Sequence, residues 1–421
     1  MRIAQPAAVG AAPTQSWDGL VVIASGTSWD DTWLSEKHLA LHLAKHVPVL
    51  FVDPPASVLT PLRKPALRGS TRGPRLRVLD RNLARLTPLT VPGISRPGLR
   101  TIGEWFTRRA IARAVARLGG TVDGLVVASL DDVFGACDAR VTVLYGTDDW
   151  VAGAELMGIP SGWLRRRERA RLATADVVVT VSPGLADRWA RTARTVLIIP
   201  NGCDTGHFSA VDGAAPSAAV TLPDPIAGFI GHLSDRIDIG LLESVAASGA
   251  SLLLVGPRQL TFDLERMTAL LAHPNVQWVG ARSFDELPAL MRRITVGLTP
   301  YTDSDFNQSS DPLKTLEYLA AGRPAVVTDL PSAHRIPAGL VEVCATPADF
   351  TAQTLRLLRQ PADAEQAERR RSYALTQSWA ARSLDFLAIF TDARSGRQIV
   401  PDAVDRGSPG PTRSAAGPEP S

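Results

Sequence analysis

Long apolar runs are missing from this chain of 421 residues: no stretch of eighteen or more apolar residues occurs, so no helix able to span a bilayer is expected. Residues 1–15 show no apolar core behind a basic end, so no export leader is expected and the cytoplasm is the expected location. Cysteine is scarce. Cys137, Cys203 and Cys344 are isolated and odd in number, without the spacing of a metal site or a disulfide framework, which leaves them as small buried apolar side chains. Among the seven histidines, His38, His42 and His46 recur every four residues, but no carboxylate-rich partner accompanies them and they read as a helix face. No G-x-G-x-x-G follows any strand candidate, which ranks a dinucleotide-dependent oxidoreductase lowest.

What is present is enough hydrophobic content, 45%, to bury the cores of two domains. Net charge is only +3, yet residues 61–118 carry fourteen Arg and Lys against two acidic residues. Such an excess suits an anionic membrane, where each basic residue near the surface contributes about 1 kcal/mol, or an acidic acceptor. A solvated arginine-rich loop is the competing reading. Nucleic acid is not expected, because only Trp105 and Phe106 offer rings for stacking there.

Short β-branched runs alternate with amphipathic segments, which predicts parallel sheets covered by helices. The rhythm occurs twice. Strands are predicted over 20–24, 47–52, 124–128, 141–145, 176–181 and 195–199, then over 226–230, 251–255, 276–279, 295–299 and 325–328. The intervening helices are predicted over 34–45, 99–118, 163–173 and 183–190, then over 239–246, 263–271 and 285–291. Turn-rich residues 200–220 separate the halves. The expected division is an N-terminal domain at 17–203, a linker at 204–222, a C-terminal domain at 223–378 and a helix at 379–394 crossing back to the first domain. The ends, 1–16 and 395–421, are expected to be disordered.

One segment carries most of the functional signal. From Ser309 to Val327 the sequence predicts a helix with Asp311 accepting from an early N–H, Pro312 at the first helical position, and a stop at Gly322 before Pro324. Leu313, Leu316 and Leu319 form its apolar stripe, while Lys314 and Glu317 share another face near the N-terminus. Free N–H groups, about half a positive charge and the lysine would attract an anion, and Glu317 one turn deeper would accept from sugar hydroxyls. A nucleoside diphosphate fits; a solvated surface pair is equally common.

With these pieces in order, the chain resembles the retaining glycosyltransferases of the α/β GT-B fold, in which two Rossmann-like domains face each other across a cleft. The likeness rests on residues 199–208, similar to the family's P-N-G-V-D-x-x-x-F crossing, on 311–327, similar to its donor-binding helix, and on 228–234, which opens the second domain. Residues 28–33, 37–40 and 49–55 resemble bacterial enzymes that build cell-surface polysaccharides, teichuronic-acid transferases among them. The resemblance implies that Glu317 holds the donor ribose, that Lys314 lies near the diphosphate, and that Gly26 and Gly231 admit the donor's phosphates. It implies donor contacts at Ser309, Ser310, Asp311, Pro312 and Leu313. Ser309 stands where many relatives carry a first glutamate, so Ser309, Ser310 or Asp311 would contact the sugar instead. Arg236, near the position of a family lysine, is the candidate phosphate partner.

Such an enzyme needs no protein nucleophile and no cofactor, and Lys314, Arg236 and the helix N-terminus would hold the leaving diphosphate without a metal. Trp29, Asp148 and Asp149 are the expected acceptor side, with Trp33, Trp150 and His38 as further candidates; packing in the core is an equal reading for the tryptophans. The expected partners are a nucleotide-sugar donor, a glycan or lipid-linked acceptor, and an anionic membrane touched through 61–118 at the inner face of the membrane. A nucleotide-sugar epimerase, a glycan phosphorylase and a non-catalytic partner subunit of the same fold are the alternatives.

Overall fold

The computed structural model describes residues 17–31, 33–57, 75–92 and 97–399. The expected disorder of 1–16 and of 400–421 falls outside these, but 395–399, also expected to be disordered, are placed: Arg397 pairs with Asp392 at 2.9 Å and Ile399 packs against the first domain's core. Two separate sheets are formed. The first runs β3-β4-β2-β1-β5-β6-β7-β8, with β1 Leu20–Ser25, β2 Val49–Val52, β3 Leu76–Asp80, β4 Leu83–Leu86, β5 Val122–Ala128, β6 Ala139–Gly146, β7 Val177–Thr180 and β8 Val196–Ile198. Every pairing in it is parallel except the β3–β4 hairpin at one edge. The second runs β11-β10-β9-β12-β13-β14, with β9 Ile226–Ile230, β10 Ser251–Val255, β11 Val276–Trp278, β12 Val296–Thr299, β13 Ala325–Thr328 and β14 Val341–Cys344, all parallel.

Strands buried on both faces need apolar side chains at every position, and β1, β2, β9 and β10 are buried throughout. Each sheet is covered on its two faces by helices whose apolar residues close two core clusters per domain. The strand order reverses direction between β1 and β5 and again between β9 and β12. At such switch points the loops leaving the carboxyl ends part and open a crevice. The candidate site residues cluster at these ends.

The domains are tied by side chains as well as by chain crossings. Ser182 Oγ donates to the Ser309 carbonyl at 2.7 Å, and Asn201, held by Ser35 Oγ at 2.8 Å within the first domain, donates to Asp311 of the second. Trp33 stacks on Phe284 with centroids 4.6 Å apart, and His207 stacks on the same ring at 4.0 Å. The chain returns at Cys203, which pairs with Ser378, and helix Trp379–Arg394 then places Phe386, Ile389 and Phe390 in the core of the first domain.

In the arginine-rich stretch the predicted helix is present, at Pro97–Leu118, and the described part before it is no solvated loop but the β3–β4 hairpin, which the sequence did not announce. Arg85, facing the core, is neutralised by Asp53 at 2.7 Å and by both carboxylate oxygens of Asp30 at 2.9 Å. Residues 61–74 and 93–96 of this stretch lie outside the described residues.

Candidate active site in the interdomain cleft

Helix Leu313–Ala320 is aimed by its packing. Leu316, Leu319 and Ala320 enter the second domain's core, and the Tyr318 ring lies where a Cβ on Gly297 would stand, 2.3 Å from that position. The Tyr318 hydroxyl accepts from the Ile230 N–H at 2.9 Å, tying the helix to the end of β9. Gly322, with φ at 74°, ends the helix as the sequence predicts.

Its start differs from expectation. Pro312 occupies the N-cap, and no side chain caps the helix. Asp311 is turned away: its carboxylate accepts the Asn201 N–H at 2.7 Å and is ion-paired to Arg335. The Asn201 side-chain amide also donates to the Asp311 carbonyl, at 2.9 Å. Asp311 therefore clamps the domains together, and the first N–H groups of the helix stay free for a ligand. Lys314 is half-buried, with Nζ 2.9 Å from Glu317, itself 8% exposed at the side chain. These two groups and the uncapped helix end form one polar corner.

The corner is completed from the end of β9. Arg236 donates to Asn307 Oδ1 at 3.1 Å, while the buried Asn307 amide donates to the carbonyls of Arg236 and Thr302. The guanidinium lies over the rings of Phe306 and Tyr301, at 4.6 and 5.1 Å from their centroids. Asn307 and the rings hold Arg236 in place without cancelling its charge. Gly231 follows directly, and its carbonyl abuts Gly256 at the end of β10.

Across the cleft, Asp148 at the end of β6 is raised to about 6, by burial first, with Arg236 pulling it down and Asp149 pushing it up. Glu36, 4% exposed, lies beside Gly26 and is raised to about 7 by burial, eased by backbone N–H groups, with Asp148 adding a smaller push. A carboxyl raised in the folded state supports the fold below its unfolded value and loses that support as pH climbs through the folded value. Between about 4.5 and 7, Glu36 thus costs the fold up to about 3 kcal/mol. We expect Glu36→Gln to exceed wild type in stability at pH 8 and to match it near pH 4. Urea unfolding at both pH values checks this; a pH-independent difference would refute it.

Other expected site residues are placed elsewhere. Asp149 is 2% exposed, accepts the Val151 and Ala152 N–H groups and pairs with Arg188, so it shapes the loop and is not open to an acceptor. Trp29 packs edge-on to Phe51 at 5.0 Å, its backbone N–H donating to Asp53, and Trp150 stacks on Trp189; both are half-buried and packed against the first domain's core. Ser310 is spent on the Asn307 carbonyl at 3.0 Å. Ser309 is half-buried beside the first domain. Gly26 is exposed at the end of β1, but a Cβ there would sit 3.0 Å from the Ala128 carbonyl, so strand crowding already calls for glycine. Pro312 and Leu313 are half-buried at the corner. His38 is buried and neutral, lowered to about 3 mainly by burial, and stacks on Trp379 at 5.5 Å. Among the described residues no group of three or more His, Cys, Asp or Glu could hold a metal ion.

Comparison with known proteins agrees with this fold. Residues 225–360 match the family model described as Glycosyl transferases group 1. The chain is 34% identical over 187 residues to the putative teichuronic acid biosynthesis glycosyltransferase TuaH of Bacillus subtilis (strain 168), a match spanning 43% of this chain and about half, 47%, of that relative. Sucrose-phosphate synthase from Thermosynechococcus elongatus superimposes with a TM-score of 0.70 at 16% identity, over 90% of this chain and 99% of that one. Anabaena Alr3699/HepE in complex with UDP-glucose gives 0.61 at 12%, over 89% and 99%. The fold is GT-B, and its second domain carries a glycosyl transferases group 1 match.

Proposed function

We propose that this chain is a glycosyltransferase that moves a sugar from a nucleotide diphosphate sugar to a glycan or lipid-linked acceptor, with retention and without a metal ion, in building cell-surface polysaccharide. One observation carries the reading: an uncapped helix N-terminus bearing Lys314 and Glu317, and an Arg236 anchored on Asn307, both follow the carboxyl ends of strands in one parallel sheet. Departure of the diphosphate builds negative charge on its oxygens, and three positive groups already in place stabilise that charge without reorganising. Glu317 binds the ribose hydroxyls; Lys314 turns from it toward the phosphates. The leaving phosphate oxygen takes the acceptor's proton on the same face as the new bond, which gives retention. Asp148 faces the site from the first domain, where sugar and acceptor hydroxyls would meet, with the buried Glu36 near it.

A uridine diphosphate donor is the first to test, given the UDP-glucose in the HepE complex. Incubating the protein with a panel of nucleotide sugars, with and without a chelator, should give nucleotide release from one donor, unchanged by chelation. Binding without release from any donor would favour the non-catalytic subunit instead. Lys314→Ala should weaken nucleoside diphosphate binding by more than about 1 kcal/mol, the scale of a lost charge-assisted contact. Unchanged affinity by calorimetry would remove Lys314 from the site.

A further inference from the structure

A second concave surface lies away from the cleft, between the β3–β4 hairpin and helix Pro97–Leu118. It is a groove of about 650 Å³ with Leu76, Leu86, Pro88, Ala110 and Ala114 among its lining residues. Its rim is basic. Arg109, Arg113 and Arg117 follow Trp105 at intervals of four, which stacks all four along one ridge of the helix. Arg75 closes the other side, and one of its guanidinium nitrogens is buried with no hydrogen-bond partner. None of these four arginines makes an ion pair among the described residues, and no acidic residue lines the groove. Arg85, Arg100 and Arg108 of the same stretch are spent internally, on Asp53 and Asp30, on Asp131, and on Asp132.

The apolar side chains beside this rim are open to solvent. Trp105 is 49% exposed, Phe106 39%, Ile102 45% and Leu89 40%, all on the face that bears the arginines. A folded protein has little reason to leave two aromatic rings and two aliphatic chains together in water. Rings with unpaired cations beside them match the boundary of a bilayer, where indole and phenyl rings settle at headgroup depth and arginines meet lipid phosphates. A protein partner would be expected to bring carboxylates spaced for the arginines and would not need the deep apolar groove.

We propose that the groove and ridge form a docking site for an anionic bilayer surface, with Trp105 and Phe106 entering the interface, Arg75, Arg109, Arg113 and Arg117 meeting lipid phosphates, and one lipid chain lying in the groove. The site is independent of the donor corner, so it stands or falls without the sugar-transfer reading. The groove belongs to the first domain, the same domain that carries Asp148.

Flotation of the purified chain with vesicles tests this. Binding is expected to vesicles of phosphatidylcholine mixed with phosphatidylglycerol, to fall steeply with added salt, and to be absent from phosphatidylcholine alone. Arg109→Glu with Arg113→Glu should reduce the bound fraction by more than about tenfold. Arg166→Glu with Arg169→Glu, an equal charge change on another exposed helix, should leave it near wild type. Trp105→Ala with Phe106→Ala should also release the protein at unchanged net charge. No flotation of the wild type, equal flotation with both vesicle types, equal loss in both arginine pairs, or full binding by the aromatic pair would each overturn the proposal.

Discussion

Glu317→Ala is expected to abolish sugar transfer while the chain stays folded. The carboxylate is nearly buried, and its hydrogen bonds in the free protein go to Lys314. Deleting it leaves a lysine that is 25% exposed and able to reach water, so stability should change little. Ligand binding is another matter. A carboxylate accepting from two ribose hydroxyls contributes two charge-assisted bonds, each about 1.5–3 kcal/mol. Losing both predicts a fall in kcat/KM of roughly two to four orders of magnitude. Glu317→Gln keeps the shape and one acceptor oxygen, so it should retain more activity than alanine. Full activity in Glu317→Ala, with the nucleotide panel as substrate, would remove the nucleotide from this corner; an unfolded variant, seen by circular dichroism, would instead assign Glu317 to the fold.

How far the sequence reveals this arrangement depends on whether the physics is local. Strands β9, β10 and β13 are legible because a strand covered on both faces must be apolar at every position, and Ile226–Ile230, Ser251–Val255 and Ala325–Thr328 nearly are. Strand β4 is not, since Arg85 breaks its apolar run, and the carboxylates that make its burial tolerable are Asp53 and Asp30, more than thirty residues earlier. The same reasoning explains Asp311. Local capping rules assign it to its own helix, but the Asn201 N–H reaches it from 110 positions away and Arg335 from 24, so tertiary contacts take the carboxylate and free the helix end. Lys314, Glu317 and Arg236 are readable from spacing or likeness; Asn307 and Glu36 carry no local mark. Asn307 sits in a polar run, and only the fold shows that its amide fixes the arginine. Glu36 precedes Lys37 on an ordinary-looking helix, and burial alone makes it unusual.

Gly256→Ala is expected to cost the second domain several kcal/mol and its donor affinity together. Gly256 has φ at 133°, a conformation that a Cβ opposes, and the added carbon would stand 1.9 Å from the Gly231 carbonyl oxygen and 2.8 Å from its carbon. Neither backbone can withdraw easily. The Gly256 N–H donates to the Gly280 carbonyl at 2.9 Å, its own carbonyl accepts the Trp278 indole at 2.9 Å, and the Gly231 N–H donates to the Val255 carbonyl at 2.8 Å. Strain at φ and overpacking each contribute about 1–3 kcal/mol, so a loss of about 3 kcal/mol or more is expected in urea unfolding. Because Gly231 leads through Leu233 and Ser234 to Arg236, relief of the clash should displace the loop that carries the guanidinium, and calorimetry should show nucleoside diphosphate affinity falling with stability. Gly339→Ala is the control, since Gly339 also has positive φ, at 84°, but a Cβ there would meet no atom within 4 Å. If both variants lose stability equally, backbone conformation alone accounts for the effect, and the contact between the β9 and β10 ends is not what fixes the phosphate side of the cleft.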